Sequence, residues 1–273
     1  MPDAVELKSA RRFPILMYHR IVSDICPVPG RDAEEMRFAI PLEEFIWQLD
    51  CIVSMGLRGM SVGDGLAAVG EGGSVPPDGV ILTFDDGNRS DFMHALPILK
   101  ERNFTATFFV CTSRIGAEGG LGNEMIEELA LEGMEIGSHG MTHRFLPLLN
   151  AEEEMIECGQ SKQMLAEVSR GEIKYFAPPG GRYKHRTIRL LERLGYEAVC
   201  TSDFGYNPIL IPPYVLKRIP IRGGTGRNLF HTILSRSVVK LLPGYGRAAS
   251  VKMIRKLLGE KLYARARGIG RER

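Results

Sequence analysis

Val80-Ile-Leu-Thr-Phe-Asp-Asp-Gly87 joins a largely apolar run to two adjacent carboxylates and a glycine. A run of that kind suits a strand buried on both faces, as parallel sheets require, and it leaves the carboxylates just past the strand's carboxyl end. Neighbouring residues of a strand point to opposite sides, so one Asp is placed to hold a cation while the other turns toward a water. Taken alone, Asp-Asp-Gly at a strand end is more often a plain turn or a helix N-cap.

Outward from this run, similar strand-type stretches recur at Ile15–Tyr18, Ala106–Val110, Met134–Gly137, Tyr175–Ala177, Glu197–Thr201 and Val215–Ile219. Helical patterns separate most of them. Pro41 opens one helix, whose Leu42, Phe45, Ile46, Leu49, Ile52 and Val53 fall at steps of three and four to form a single apolar stripe, and Gly56 ends it. Alternating strands and helices with no strong linker and no internal repeat fit a single closed or nearly closed βα barrel over residues 1–242 better than a doubly wound sheet, although periodicity alone does not choose between them. No glycine-rich dinucleotide or phosphate loop follows any strand, which argues against nucleotide-dependent chemistry.

Composition agrees with a globular chain: 273 residues, 44% hydrophobic and 25% charged, are enough to bury a core without disulfide staples. Cys26, Cys51, Cys111, Cys158 and Cys200 are odd in number and lack a Cys-x-x-Cys pair, so they are expected as reduced, mostly buried thiols. The first twenty residues lack the regions of a signal peptide, and no apolar stretch reaches spanning length; a cytoplasmic location is the expectation. Residues 243–273 carry nine Lys/Arg against two Glu, a net +7 in a chain of net +2. This is expected to be a helical basic tail able to touch an anionic surface at the inner membrane face, with a solvated helix face as the plainer reading. The basic residues are not interleaved with aromatics, so nucleic-acid binding is not expected.

A second motif, Gly137-Ser-His-Gly-Met-Thr-His143, again follows a strand candidate. Histidines four apart in a helical turn share a face and can ligate one cation. With Asp86, His139 and His143 would make a two-His, one-carboxylate site with open positions for water and substrate, a pattern of hydrolytic metal centres.

In this order the motifs resemble the polysaccharide deacetylase family, the NodB-homology or carbohydrate esterase family 4 group, of the exopolysaccharide-associated type. Thr83-Phe-Asp-Asp-Gly87 matches its first motif, Ala106-Thr-Phe-Phe-Val110 its next core strand, Gly137 to His143 its metal motif, and Phe176-Ala-Pro-Pro-Gly-Gly181 its third motif. The resemblance implies a distorted (β/α)7 barrel and metal-dependent removal of acetyl groups from an amino sugar or an acetylated polysaccharide or precursor. Carried over residue by residue, it implies that Asp86, His139 and His143 hold one divalent cation, zinc ahead of nickel or cobalt, and that Asp85 is the general base acting on a water at that cation. The tetrahedral oxyanion needs a further donor, for which the backbone of the Pro179-Gly180-Gly181 turn is the candidate, since glycine allows close approach.

The chain also departs from the family's pattern. Ala177 stands where an Arg usually braces the catalytic Asp, with Arg182 and Arg218 as candidate replacements; Gly180 stands where an aromatic is usual, and Gly140 where a Ser or Thr follows the first His. Val215–Ile221 lacks the His that many members use as catalytic acid. His19, just past the first strand, is a candidate for the site, and Asp203 is a candidate brace or a turn residue. Two other functions fit these departures: hydrolysis of a non-peptide C–N bond in a small cyclic amide, and sugar binding without turnover.

Overall fold

Seven short runs with alternating inward and outward side chains close on themselves to make the architecture. In the computed structural model, which describes residues 12–24, 33–70, 73–210 and 214–237, they are β1 (Ile15–Tyr18), β2 (Gly79–Asp86), β3 (Thr107–Val110), β4 (Glu135–Ser138), β5 (Tyr175–Phe176), β6 (Ala198–Phe204) and β7 (Val215–Pro220). Every neighbouring pair is parallel, in the order β1-β7-β6-β5-β4-β3-β2, and β2 pairs back onto β1 to close the ring. Tyr18 lies opposite Phe84 on one side of β2, and Asp85 opposite Phe109 on the other. This is the distorted (β/α)7 barrel expected from the motifs. A further strand, Arg58–Met60, pairs with the first half of β2 and has no counterpart among the expected runs.

Side-chain parity divides the core in two. Ile15, Ile81, Phe109, Tyr175, Ala177, Ala198, Cys200 and Leu216 form one buried cluster, the barrel interior. Their neighbours Leu16, Leu82, Phe84, Phe108, Val110, Phe176, Val199 and Ile219 belong to the other cluster, shared with Phe45, Leu49 and Ile52 of helix Leu42–Ser54. Both faces of β2 are thus apolar, the physical reason its sequence reads as a nearly unbroken hydrophobic run. Each fully buried Phe, Leu or Ile contributes about 1.5–3 kcal/mol. The stripe expected on helix Leu42–Ser54 is present except at Val53, which is 50% exposed, while Gln48 is buried and accepts a hydrogen bond from the Tyr18 hydroxyl.

The same parity sets up the site. Counting by twos from interior Ile81 brings Thr83 and Asp85 inward; from Leu216 it brings Arg218 inward; and from Ile15 it carries through Met17 to His19 at the mouth. Asp85, Arg218 and His19 therefore meet toward the carboxyl ends of the strands, the face on which βα barrels assemble their sites, while a second polar group, Thr107 with Glu135, sits at the amino ends.

Cys51, Cys111, Cys158 and Cys200 are free and buried; Cys26 and the basic segment 243–273 lie outside the described residues. Among the described residues, no helix is long and apolar enough to cross a membrane.

Candidate metal centre and catalytic face

Asp86 ends β2 at φ +83°, a left-handed conformation that turns its carboxylate out of the strand toward two histidines. Its Oδ1 lies 3.5 Å from His139 Nε2 and 3.2 Å from His143 Nε2, while Oδ2 meets Arg114 Nη1 at 3.3 Å. One ligand atom from each of Asp86, His139 and His143 lies within 4.8 Å of the others. The two histidines do not share a helical turn, contrary to the expectation from their spacing. His139 follows β4 and His143 sits at φ +60° in an irregular loop that also passes through Gly140 at φ +80°. The loop's left-handed turns, rather than helical periodicity, bring the rings together, with centroids 5.2 Å apart.

The donor chemistry fits a divalent cation. His139 Nδ1 is 2.7 Å from the Ala177 carbonyl oxygen, so Nδ1 carries the proton and Nε2 keeps its lone pair. Burial lowers the His139 pKa to about 4, outweighing the nearby carboxylates, so the ring is neutral and ready to ligate at neutral pH. Burial opposes ionisation of Asp86, yet its hydrogen bond to His143 and the surrounding imidazoles hold its carboxyl well below the usual carboxylate range. His139 is buried and His143 is 38% exposed, so the cluster is closed toward the barrel and open toward solvent. An open position is what distinguishes catalytic from structural sites.

Asp85 points the other way, into the barrel. Arg218 from β7 clamps it with both ends of its guanidinium and also donates to the Thr201 carbonyl at 2.9 Å and to Thr83 Oγ1 at 3.2 Å. Burial would raise the Asp85 pKa, but the charge and hydrogen bonds of Arg218, helped by His139 and His19, bring it below its ordinary value. Arg182 is elsewhere: its guanidinium stacks 4.1 Å above the Phe145 ring. Asp203 accepts a hydrogen bond from the Tyr183 hydroxyl at 3.1 Å.

The Pro179–Gly181 turn abuts β6. A Cβ on Gly181, at φ +64°, would lie 2.4 Å from Ser202 Cβ, so only glycine fits there. The Gly181 N–H donates to the Pro178 carbonyl at 2.8 Å and Pro179 has no N–H, which narrows the oxyanion candidate in this turn to the Gly180 N–H. His19 stacks on Phe38 at 4.4 Å, and its buried Nδ1 has no hydrogen-bond partner. Burial lowers its pKa against the opposing pull of Asp86 and Asp85.

Asn88 joins these parts and was not anticipated. Its Nδ2 donates to the carbonyls of Asp85 at 3.0 Å and His19 at 3.2 Å, and its backbone N–H donates to buried Asp91. The only signal in the sequence is an amide one residue past Asp-Asp-Gly, which by itself reads as a turn.

Residues 72–199 match the family model described as polysaccharide deacetylase. The chain is 25% identical over 226 residues to the protein YxkH of Bacillus subtilis (strain 168), covering 83% of this chain and 77% of that protein. It is 32% identical over 100 residues to a peptidoglycan-N-acetylglucosamine deacetylase of Bacillus cereus, 37% of this chain but 35% of that one. Among solved structures, the fold matches the Streptococcus pyogenes deacetylase PplD in complex with acetate, with a TM-score of 0.72 at 24% identity over 82% of this chain and 98% of that one. It also matches IcaB from Ammonifex degensii, with a TM-score of 0.66 at 23% identity over 83% and 98%.

Proposed function

The chain belongs to the polysaccharide deacetylase family, and from that premise we propose that it is a hydrolase removing acetyl groups from an amino sugar of a polysaccharide or its precursor. The bond cleaved is then a carbon–nitrogen bond outside a peptide. The observation that carries this reading is the division of labour between two adjacent carboxylates: Asp86 converges with His139 and His143, while Asp85 stays apart, ionised and buried beside Arg218.

Asp86, His139 and His143 would hold one divalent cation, zinc ahead of nickel or cobalt. Such a cation polarises an acyl oxygen and lowers the pKa of water toward neutrality. Asp85, kept ionised by Arg218, accepts the proton of the attacking water. The Gly180 N–H faces the developing oxyanion. His19, the imidazole at the mouth not engaged by Asp86, is neutral at rest and relays to the leaving nitrogen the proton that Asp85 takes from the water, the role that Val215–Ile221 leaves without a histidine.

The test is acetate release from acetylated glycans, chitin-type and peptidoglycan oligosaccharides among them, alongside elemental analysis of the protein. Acetate formation with about one bound metal per chain, both lost in His139→Ala, is the expected result. A protein that takes up no metal, or releases no acetate from any of them, would sink the reading. His19→Gln is expected to lower kcat while leaving the metal content intact.

A further inference from the structure

Residues 151–169 run as one helix interrupted by a π-helical turn, Ile156–Gln160, between Ala151–Met155 and Ser161–Ser169. Such turns are rare and recur at functional sites. This one presents Glu157, only 3% exposed, to the loop between His139 and His143. One carboxylate oxygen, Oε2, accepts from the Met141 N–H at 2.8 Å and the Thr142 N–H at 2.9 Å, and the other accepts from the Thr142 hydroxyl. A Cβ on Gly140 would stand 3.2 Å from Oε2 at φ +80°, so the glycine makes room for the carboxylate. Neighbouring Glu154, on the same buried face, is spent differently, on Arg186 and Thr187 of another helix.

A buried carboxylate is costly unless it is well hydrogen-bonded. Glu157 gathers its donors from the two residues midway between the histidines, where helical hydrogen bonds would otherwise hold the spacing. We propose that Glu157 is the positioning residue of this loop, fixing Met141 and Thr142 so that His143 faces Asp86 and His139 before any cation arrives. The proposal rests on the metal reading above and deepens it. Without Glu157 the loop keeps its ligands but loses their preorganisation, and the ordering cost is then charged to metal binding.

The experiment is a zinc titration of metal-free protein against a chromophoric chelator, with the visible spectrum of the cobalt-loaded form as a report on ligand geometry. Glu157→Ala is expected to weaken zinc binding on the order of 10–100-fold, the usual effect of losing an outer partner of a metal site, and to alter the cobalt spectrum. Glu157→Gln keeps an oxygen for both N–H groups and is expected to stay near wild type in both readouts. If melting shows that Glu157→Ala does not fold, Glu157→Asp, which withdraws the carboxylate by one methylene, replaces it with the same expected loss. Wild-type zinc affinity in whichever of these two variants folds would overturn the positioning role alone. A wild-type protein that binds no zinc would overturn the metal reading and this role with it.

Discussion

Arg218 and Asp85, 133 residues apart in the chain, meet across the barrel interior with Nη1 2.6 Å from Oδ1 and Nη2 2.7 Å from Oδ2. Arg218 is fully buried and Asp85 is 2% exposed. A bidentate pair of this kind is both strong and directional. It leaves Asp85 ionised, yet fixed in one orientation beside the Asp86–His139–His143 cluster.

Removing the Arg218 guanidinium should therefore cost stability. Arg218→Met strands a buried carboxylate and is expected to destabilise the fold by about 3–5 kcal/mol at neutral pH. The sign with pH follows from the shift. In the wild type the Asp85 pKa is depressed, so its contribution is fully present above the unfolded value and is lost as pH falls through the lower folded value. In the variant, burial acts unopposed by Arg218 and raises the pKa, so the deficit should shrink on acidification. Urea midpoints of both proteins at neutral pH and at about 4 check this.

Asp85→Asn keeps the shape of the carboxylate and removes its basicity. Acetate release should fall by about 10²–10⁴-fold, the range for loss of a general base, while zinc content stays at the wild-type level. Loss of the metal in this variant would mean that Asp85 is a ligand and that the two carboxylates have been assigned in reverse.

The metal-free protein should be acid-sensitive well above the carboxylate range. Burial lowers His139 to about 4 and also lowers His19, whereas both titrate near 6.5 in an unfolded chain. The unfolded state then binds protons that the folded state refuses, so stability is fully present above about 6.5 and declines as pH falls toward 4. Denaturant midpoints across that interval should drop in the wild type and drop less in His139→Asn.

Gly181→Ala tests the fit of the Pro179–Gly181 turn against β6. The added Cβ meets Ser202 at a distance no real contact adopts, at a backbone angle that costs a non-glycine residue energy as well. A loss of about 1–3 kcal/mol is expected from the crowding, read as a lower melting temperature.

Much of the barrel was legible because each strand carries its own local signature. Val80–Phe84 is apolar on both faces since both faces are buried, and Asp85 and Asp86 stand out because polarity returns abruptly where the strand leaves the core. The His139–His143 pair was legible as a pair but not as a conformation. Spacing by four suggests a helix, whereas the loop is shaped by two positive-φ residues and by a carboxylate fourteen residues past His143.

Alternation, apolar runs and the residue types at strand ends are local properties, and by themselves they pointed to βα units, to polar residues just past the strand ends and to the candidate metal ligands, while the order of the motifs pointed to the barrel. Which arginine grips Asp85 was not local. Arg182 lies beside the third motif and Arg218 on a distant strand, and only closure of the ring, seating β7 beside β1 and β1 beside β2, brings the latter inward onto the carboxylate. The same holds for Asn88 and Glu157. Each is an ordinary polar residue in the chain, and the tertiary structure gives it a role by burying it against backbone groups it must satisfy, carbonyls for Asn88 and N–H groups for Glu157.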